Sequence, residues 1–148
     1  MTILQVGAIP VPKMGVLDVT FRLFLRIVAL GFLVMALQSW GGLIGYSDGG
    51  LRRFDQLPPH WQVASASLAV VLPVAALGLW MEAAWGAVIW VVAAGGQVAM
   101  HQLFPHWYGE RPLLMMLHMV VAATYVAFRI AFLIRGRERA RQVSSDSL

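Results

Sequence analysis

The chain has 148 residues, of which 59% are apolar and 12% charged, with a net charge of +4 and no cysteine. A soluble domain carries about a quarter charged residues, so a water-soluble globular fold is excluded. The missing thiols exclude disulfides, thiolate metal sites, iron–sulfur clusters and cysteine nucleophiles.

In chain order, residues 1–20 form a short N-terminal arm with Pro10, Pro12 and Gly15. Arg22 precedes, and Arg26 lies just inside, an apolar run over 23–46, too long for the core of a cleavable signal and read as an uncleaved signal anchor. Three further runs follow at 61–80, 84–104 and 113–134. Each reaches about 20 residues, the length an α-helix needs to cross a ~30 Å hydrocarbon core. Barrel strands would alternate apolar and polar residues, and 113–134 does not, so the expectation is an all-α integral membrane four-helix bundle over 21–134. The tail 135–148, carrying Arg135, Arg137, Arg139 and Arg141, reads as basic, disordered and cytoplasmic.

The first connection, about 47–60, contains Leu51, Phe54 and Leu57 at three-residue spacing, which suggests an amphipathic outer turn stopped by Pro58-Pro59. The second is only Met81-Glu82-Ala83, so the two spans it joins form a tight hairpin. Lys13, Arg22, Arg26, Arg129 and the four tail arginines share one face, against Arg52, Arg53 and Arg111 on the other, which places both termini in the cytoplasm. Trp40, Trp61 and Trp107 mark the outer boundary, Trp80 and Trp85 the inner one, and Trp90 lies deeper as a packing residue. Gly41 with Gly45, and Gly95 with Gly96, read as small residues for close packing inside the bundle, with a homodimer face as the alternative. Pro73 should kink the second span and free a carbonyl that a neighbour must satisfy.

Polar groups at membrane depth are the natural functional candidates. Glu82 is the one charge of the inner turn, and Arg26 or Arg129 is its expected ion-pair partner; both arginines could otherwise snorkel to the headgroups. His60, His101, His106 and His118 all fall toward the outer side. His101 and His118 flank the third connection at matched depth, and Gln97 shares a helical face with His101. Two convergent imidazoles could hold a haem or a metal, or serve a quinone. The plainer reading is structural, since no spaced metal motif appears. Glu82 and Glu110 lie at opposite ends, Ser65 and Ser67 lack a base, and no glycine pattern cradles phosphate, so enzyme chemistry is poorly supplied.

The sequence Phe21-Arg22 with Arg26 and Gly31, the exit Gln38-Ser39-Trp40-Gly41-Gly42, and a hairpin ending in Gln97 and His101 resemble the DoxX-like class of small four-span bacterial inner-membrane proteins. The resemblance covers roughly 21–128 and departs at Ala64-Ser65-Ala66, where such proteins often carry an acidic residue. It implies a bacterial inner-membrane location and, for some relatives, a place beside quinone-linked redox enzymes; separately, the chain resembles uncharacterised alphaproteobacterial inner-membrane proteins of this size. The expected function is a non-catalytic scaffold or accessory subunit without cofactor, partnered by the lipid bilayer and by another membrane protein or a second copy, and not by nucleic acid. The alternatives are a redox component binding haem, metal or quinone through His101, His118 and Gln97, and an oligomeric transporter or channel.

Overall fold

The computed structural model describes residues 15–46 and 54–145, and no strand occurs among them. The helices are α1 (Val16–Leu43), α2 (Pro59–Trp80), α3 (Ala84–Leu103), the short α4 (Pro105–Tyr108) and α5 (Pro112–Ser145), with a 3-10 turn at Phe54–Gln56. Four of them are long and apolar enough to cross a membrane, the last over Pro112–Glu138. At 1.5 Å per residue, even the 20-residue α3 spans about the hydrocarbon thickness.

Both ends of the bundle extend further than the apolar runs suggest. α1 starts at Val16, inside the expected arm, because Asp18 lies in its first turn and accepts the Gly15 N–H at 3.1 Å; a carboxylate there satisfies an open donor and meets the positive end of the helix dipole. The tail expected to be disordered is helical through Ser145. Its arginines, Glu138 and Ala140 are good helix formers, and they propagate a helix already nucleated in the span. The rest of the arm, and Leu51 of the outer turn, lie outside the described residues. Pro59 opens α2 at its first position, where its missing N–H costs nothing.

α2 is the central helix, packed on α1 and α3. α1 buries Leu25, Val28, Ala29, Phe32 and Ala36, while α3 buries Gly86, Trp90, Ala93, Gln97 and His101. These spacings of three and four place one stripe per helix inward. Ala69, Leu72, Ala75, Ala76 and Leu79 of α2 fill the space between them. Lipid tails give helices no hydrophobic reason to associate, so close backbone approach through small side chains carries the packing. It is closest at the hairpin base, where a Cβ on Gly78 would stand 2.5 Å from the Gly86 Cα. The glycines expected to pack inside the bundle do otherwise: at Gly41, Gly95 and Gly96 a Cβ would meet no neighbour within 4 Å.

Gly45 has a different role. α1 ends with Gly45 N–H bonded to the Gly42 carbonyl and Tyr46 N–H bonded to that of Gly41, with Gly45 at φ 75°. This is the left-handed helix stop that glycine favours. α2 ends in the same pattern, Glu82 N–H to Leu79 and Ala83 N–H to Gly78, but there Glu82 occupies the left-handed position at φ 55°. A side chain in that region costs about 1–2 kcal/mol.

The freed carbonyl opposite Pro73 finds its partner: the Trp40 indole N–H donates to the Ala69 carbonyl, four residues before the proline, at 2.9 Å. α5 attaches differently from the other spans. Aromatic rings bridge it to α1 and α3, with Phe21 at 5.3 Å from both Phe128 and Phe132 and Trp90 at 5.4 Å from Tyr125. Among the described residues His118 is its one buried side chain. At the opposite end from the hairpin turn, the His60 ring lies 5.5 Å from those of Trp107 and Tyr108, tilted to the first and edge-on to the second, and the Trp61 indole donates to the Trp107 carbonyl at 3.0 Å, tying the start of α2 to α4.

Candidate functional site

Gln97, His101 and His118 are the polar side chains buried among the described residues, and the fold brings them together. Gln97 and His101 come from the inward stripe of α3, one turn apart. His118 arrives from α5, positioned by the Phe32 ring of α1 at 6.1 Å between ring centres. His118 Nδ1–H donates to the Leu114 carbonyl one turn earlier, at 2.8 Å, and its Nε2 lies 2.9 Å from the Gln97 amide. With Nδ1 the donor in a neutral ring, Nε2 is an acceptor, so the amide must turn its NH2 toward it. His101 Nδ1–H donates to the Gly109 carbonyl at 2.9 Å, where Gly109 itself adopts φ 73° to close the third connection. The two imidazoles are near enough to interact electrostatically.

Each ring therefore has its Nδ1 fixed by a backbone carbonyl, the arrangement that aims Nε2 at a ligand in many metal sites. Only His101 keeps Nε2 without a hydrogen bond to a described residue. His118 Nε2 is engaged by Gln97, so paired axial ligation of a haem would require that bond to break and a gap to open. No cluster of three His, Asp or Glu that could hold a metal occurs among the described residues. As it stands, the site joins α3 to α5 by a buried interhelical hydrogen bond.

The second candidate site lies at the hairpin end. Glu82 pairs there, but with Arg22 and not with Arg26 or Arg129: Arg22 Nε donates to Glu82 Oε2 at 3.2 Å. The reason is the longer α1, which carries Arg22 as a helical residue level with the turn. Arg26, one turn further in, instead lays its guanidinium 5.5 Å over the Trp80 ring, a cation–π contact. Arg129 makes no ion pair or hydrogen bond among the described residues, although it lines the same cleft as Glu82. A further pair absent from the sequence reading, Arg135 with Asp18 at 3.7 Å, ties α5 to the start of α1. His106 lies on the exposed surface of α4.

A family model matches residues 19–136, described as a family of unknown function, DUF6163. The chain belongs to the DUF6163 family. The match takes in α2 and α3, nearly all of α1 and most of α5, with Gln97, His101, His118, Arg22, Glu82 and Arg129 inside it. No curated protein and no solved structure matches the chain.

Proposed function

We propose that this protein is a non-catalytic scaffold or accessory subunit of a bacterial inner membrane, with both termini cytoplasmic, that associates with a second membrane chain through its open helix faces. The likeness to DoxX-like proteins and an alphaproteobacterial source belong to the same proposal and rest on the sequence features alone. The observation that carries the reading is the placement of Gly31, Gly95 and Gly96, mid-span residues at which a Cβ would meet no neighbour in this chain. Glycine inside a helix costs about 1 kcal/mol relative to alanine, and lipid returns nothing for it, whereas an approaching helix does. The largely uncovered surface of α5 supports the same view. Light scattering of the chain in mild detergent tests it. The expected particle contains more than one helical chain, and Gly95→Leu with Gly96→Leu releases a folded monomer; a monomeric wild-type protein in mild detergent and in nanodiscs would count against it.

A second reading, a redox component taking a metal or quinone at His101, is favoured by one observation, the unengaged Nε2 of that buried ring. Visible absorption and metal analysis of the purified chain decide it, and a His101→Ala variant that retains any bound chromophore or metal would remove it.

A further inference from the structure

At the hairpin end, a cleft of about 200 Å³ opens between α1, the α2–α3 turn and α5. Its walls are of two kinds. Phe21 and Leu25 of α1 and Leu79 of α2 supply the apolar lining, while Glu82, and Tyr125 and Arg129 of α5, supply the polar groups. The cleft exists because α5 is held off the bundle by aromatic rings, not drawn against it by glycines, so the gap is a consequence of how the fourth span docks.

The charges of the cleft do not balance internally. Glu82 is already held by Arg22. Arg26 is stacked on Trp80, a contact that leaves its charge intact. Arg129 lines the cleft without a polar partner among the described residues, and Tyr125 lines it too, its ring 6.0 Å from Phe21 and 5.4 Å from Trp90 and its hydroxyl without a hydrogen bond to a described residue. With Glu82 taken by Arg22, Arg129 is the cleft-lining charge left without an ion pair among the described residues. The position adds a second constraint: the α2–α3 turn marks the level at which two spans leave the hydrocarbon, so the polar groups sit among headgroups while the apolar lining continues into the acyl region.

We propose that this cleft is a binding site for an anionic phospholipid, with Arg129 and the Tyr125 hydroxyl receiving the phosphate and the Phe21–Leu25–Leu79 wall receiving the first part of an acyl chain. Arginine suits the task because its planar fork gives two parallel hydrogen bonds to a phosphate. The apolar lining separates a lipid from free phosphate, which could use the polar groups alone. Glu82 contributes by holding Arg22 at the edge of the cleft, leaving Arg129 to the ligand.

The test is native mass spectrometry of the full chain released from detergent with phosphatidylglycerol or with phosphatidylcholine of the same acyl chains. Phosphatidylglycerol should be retained about tenfold more than phosphatidylcholine. Arg129→Gln should abolish that preference, Arg129→Lys should keep part of it, and Tyr125→Phe should reduce it a few-fold. Arg137→Gln, outside the cleft, should leave it unchanged. Gel filtration confirms that each variant folds; should Arg129→Gln fail there, Arg129→Lys and Tyr125→Phe carry the test. Equal retention of the two lipids by the wild type, or an undiminished preference in the variants, overturns the proposal. Displacement of phosphatidylglycerol by millimolar inorganic phosphate overturns its lipid form and assigns the polar groups to the free anion.

Discussion

Glu82 concentrates two opposing effects in one side chain. Its backbone occupies a left-handed position at φ 55° that glycine takes in the equivalent stop of α1, at a cost of about 1–2 kcal/mol. Its carboxylate gains an ion pair with Arg22 in which the two side chains are 30% and 44% exposed, a class of contact that contributes only about 0–1 kcal/mol. Glu82→Gly should therefore raise the thermal midpoint of the detergent-solubilised chain, and Glu82→Ala, which keeps the strain and loses the pair, should lower it. The comparison of the two melting curves checks the ledger, and a lower midpoint for both would mean that the carboxylate outweighs the strain. A second residue-scale prediction concerns Trp40. Trp40→Phe leaves the Ala69 carbonyl without its donor and should cost about 1 kcal/mol. In a Pro73→Ala background the backbone N–H at 73 can serve Ala69 instead, so the same substitution should cost less than half as much. Additive losses in that double-mutant cycle would contradict the pairing.

Among the elements, the hairpin and α5 are held by opposite means, and substitution should separate them. Gly78→Ala and Gly86→Ala place a Cβ against backbone, which cannot yield as a side-chain end can; each should destabilise the fold by about 1–3 kcal/mol. Gly96→Ala meets open space and should be neutral or slightly stabilising for the isolated chain. α5 depends on the His118–Gln97 bond, for which a double-mutant cycle with His118→Ala and Gln97→Ala should return a coupling of about 0.6–2 kcal/mol. This contrast also explains what the sequence disclosed. Four spans, a tight hairpin, an orphaned carbonyl near Pro73 and a shared face for Gln97 and His101 all follow from length and helical period. The meeting of His118 with Gln97 depends on how α5 rotates about its axis, which period alone leaves open. The close-packing pair Gly78–Gly86 was hidden because the two glycines stand eight residues apart on different helices, and neither has a second glycine at helical spacing on its own helix face to flag it. Gly41, Gly45, Gly95 and Gly96 were conspicuous by spacing, yet spacing cannot tell an inward face from an outward one. Arg22 was missed as Glu82's partner, in favour of Arg26 or Arg129, for a simpler reason: hydrophobicity marks where a span is apolar, and the α1 helix begins well before that.

For the whole molecule, the described residues form a layered arrangement in which α1, α2 and α3 pack tightly and α5 stands alongside. The lack of any cysteine makes orientation and association directly measurable with single-cysteine variants. A cysteine at Glu110 should react with a membrane-impermeant maleimide in intact cells, and one at Arg137 only after lysis; the reverse order would invert the proposed topology. The association itself is the central claim. A benzophenone maleimide on Gly95→Cys or Gly96→Cys, photolysed in native membranes, reads it most directly, with exposed Leu77→Cys of α2 as the reference. The account predicts one discrete protein adduct from positions 95 and 96 and lipid adducts alone from position 77, whereas lipid adducts alone from all three would contradict it.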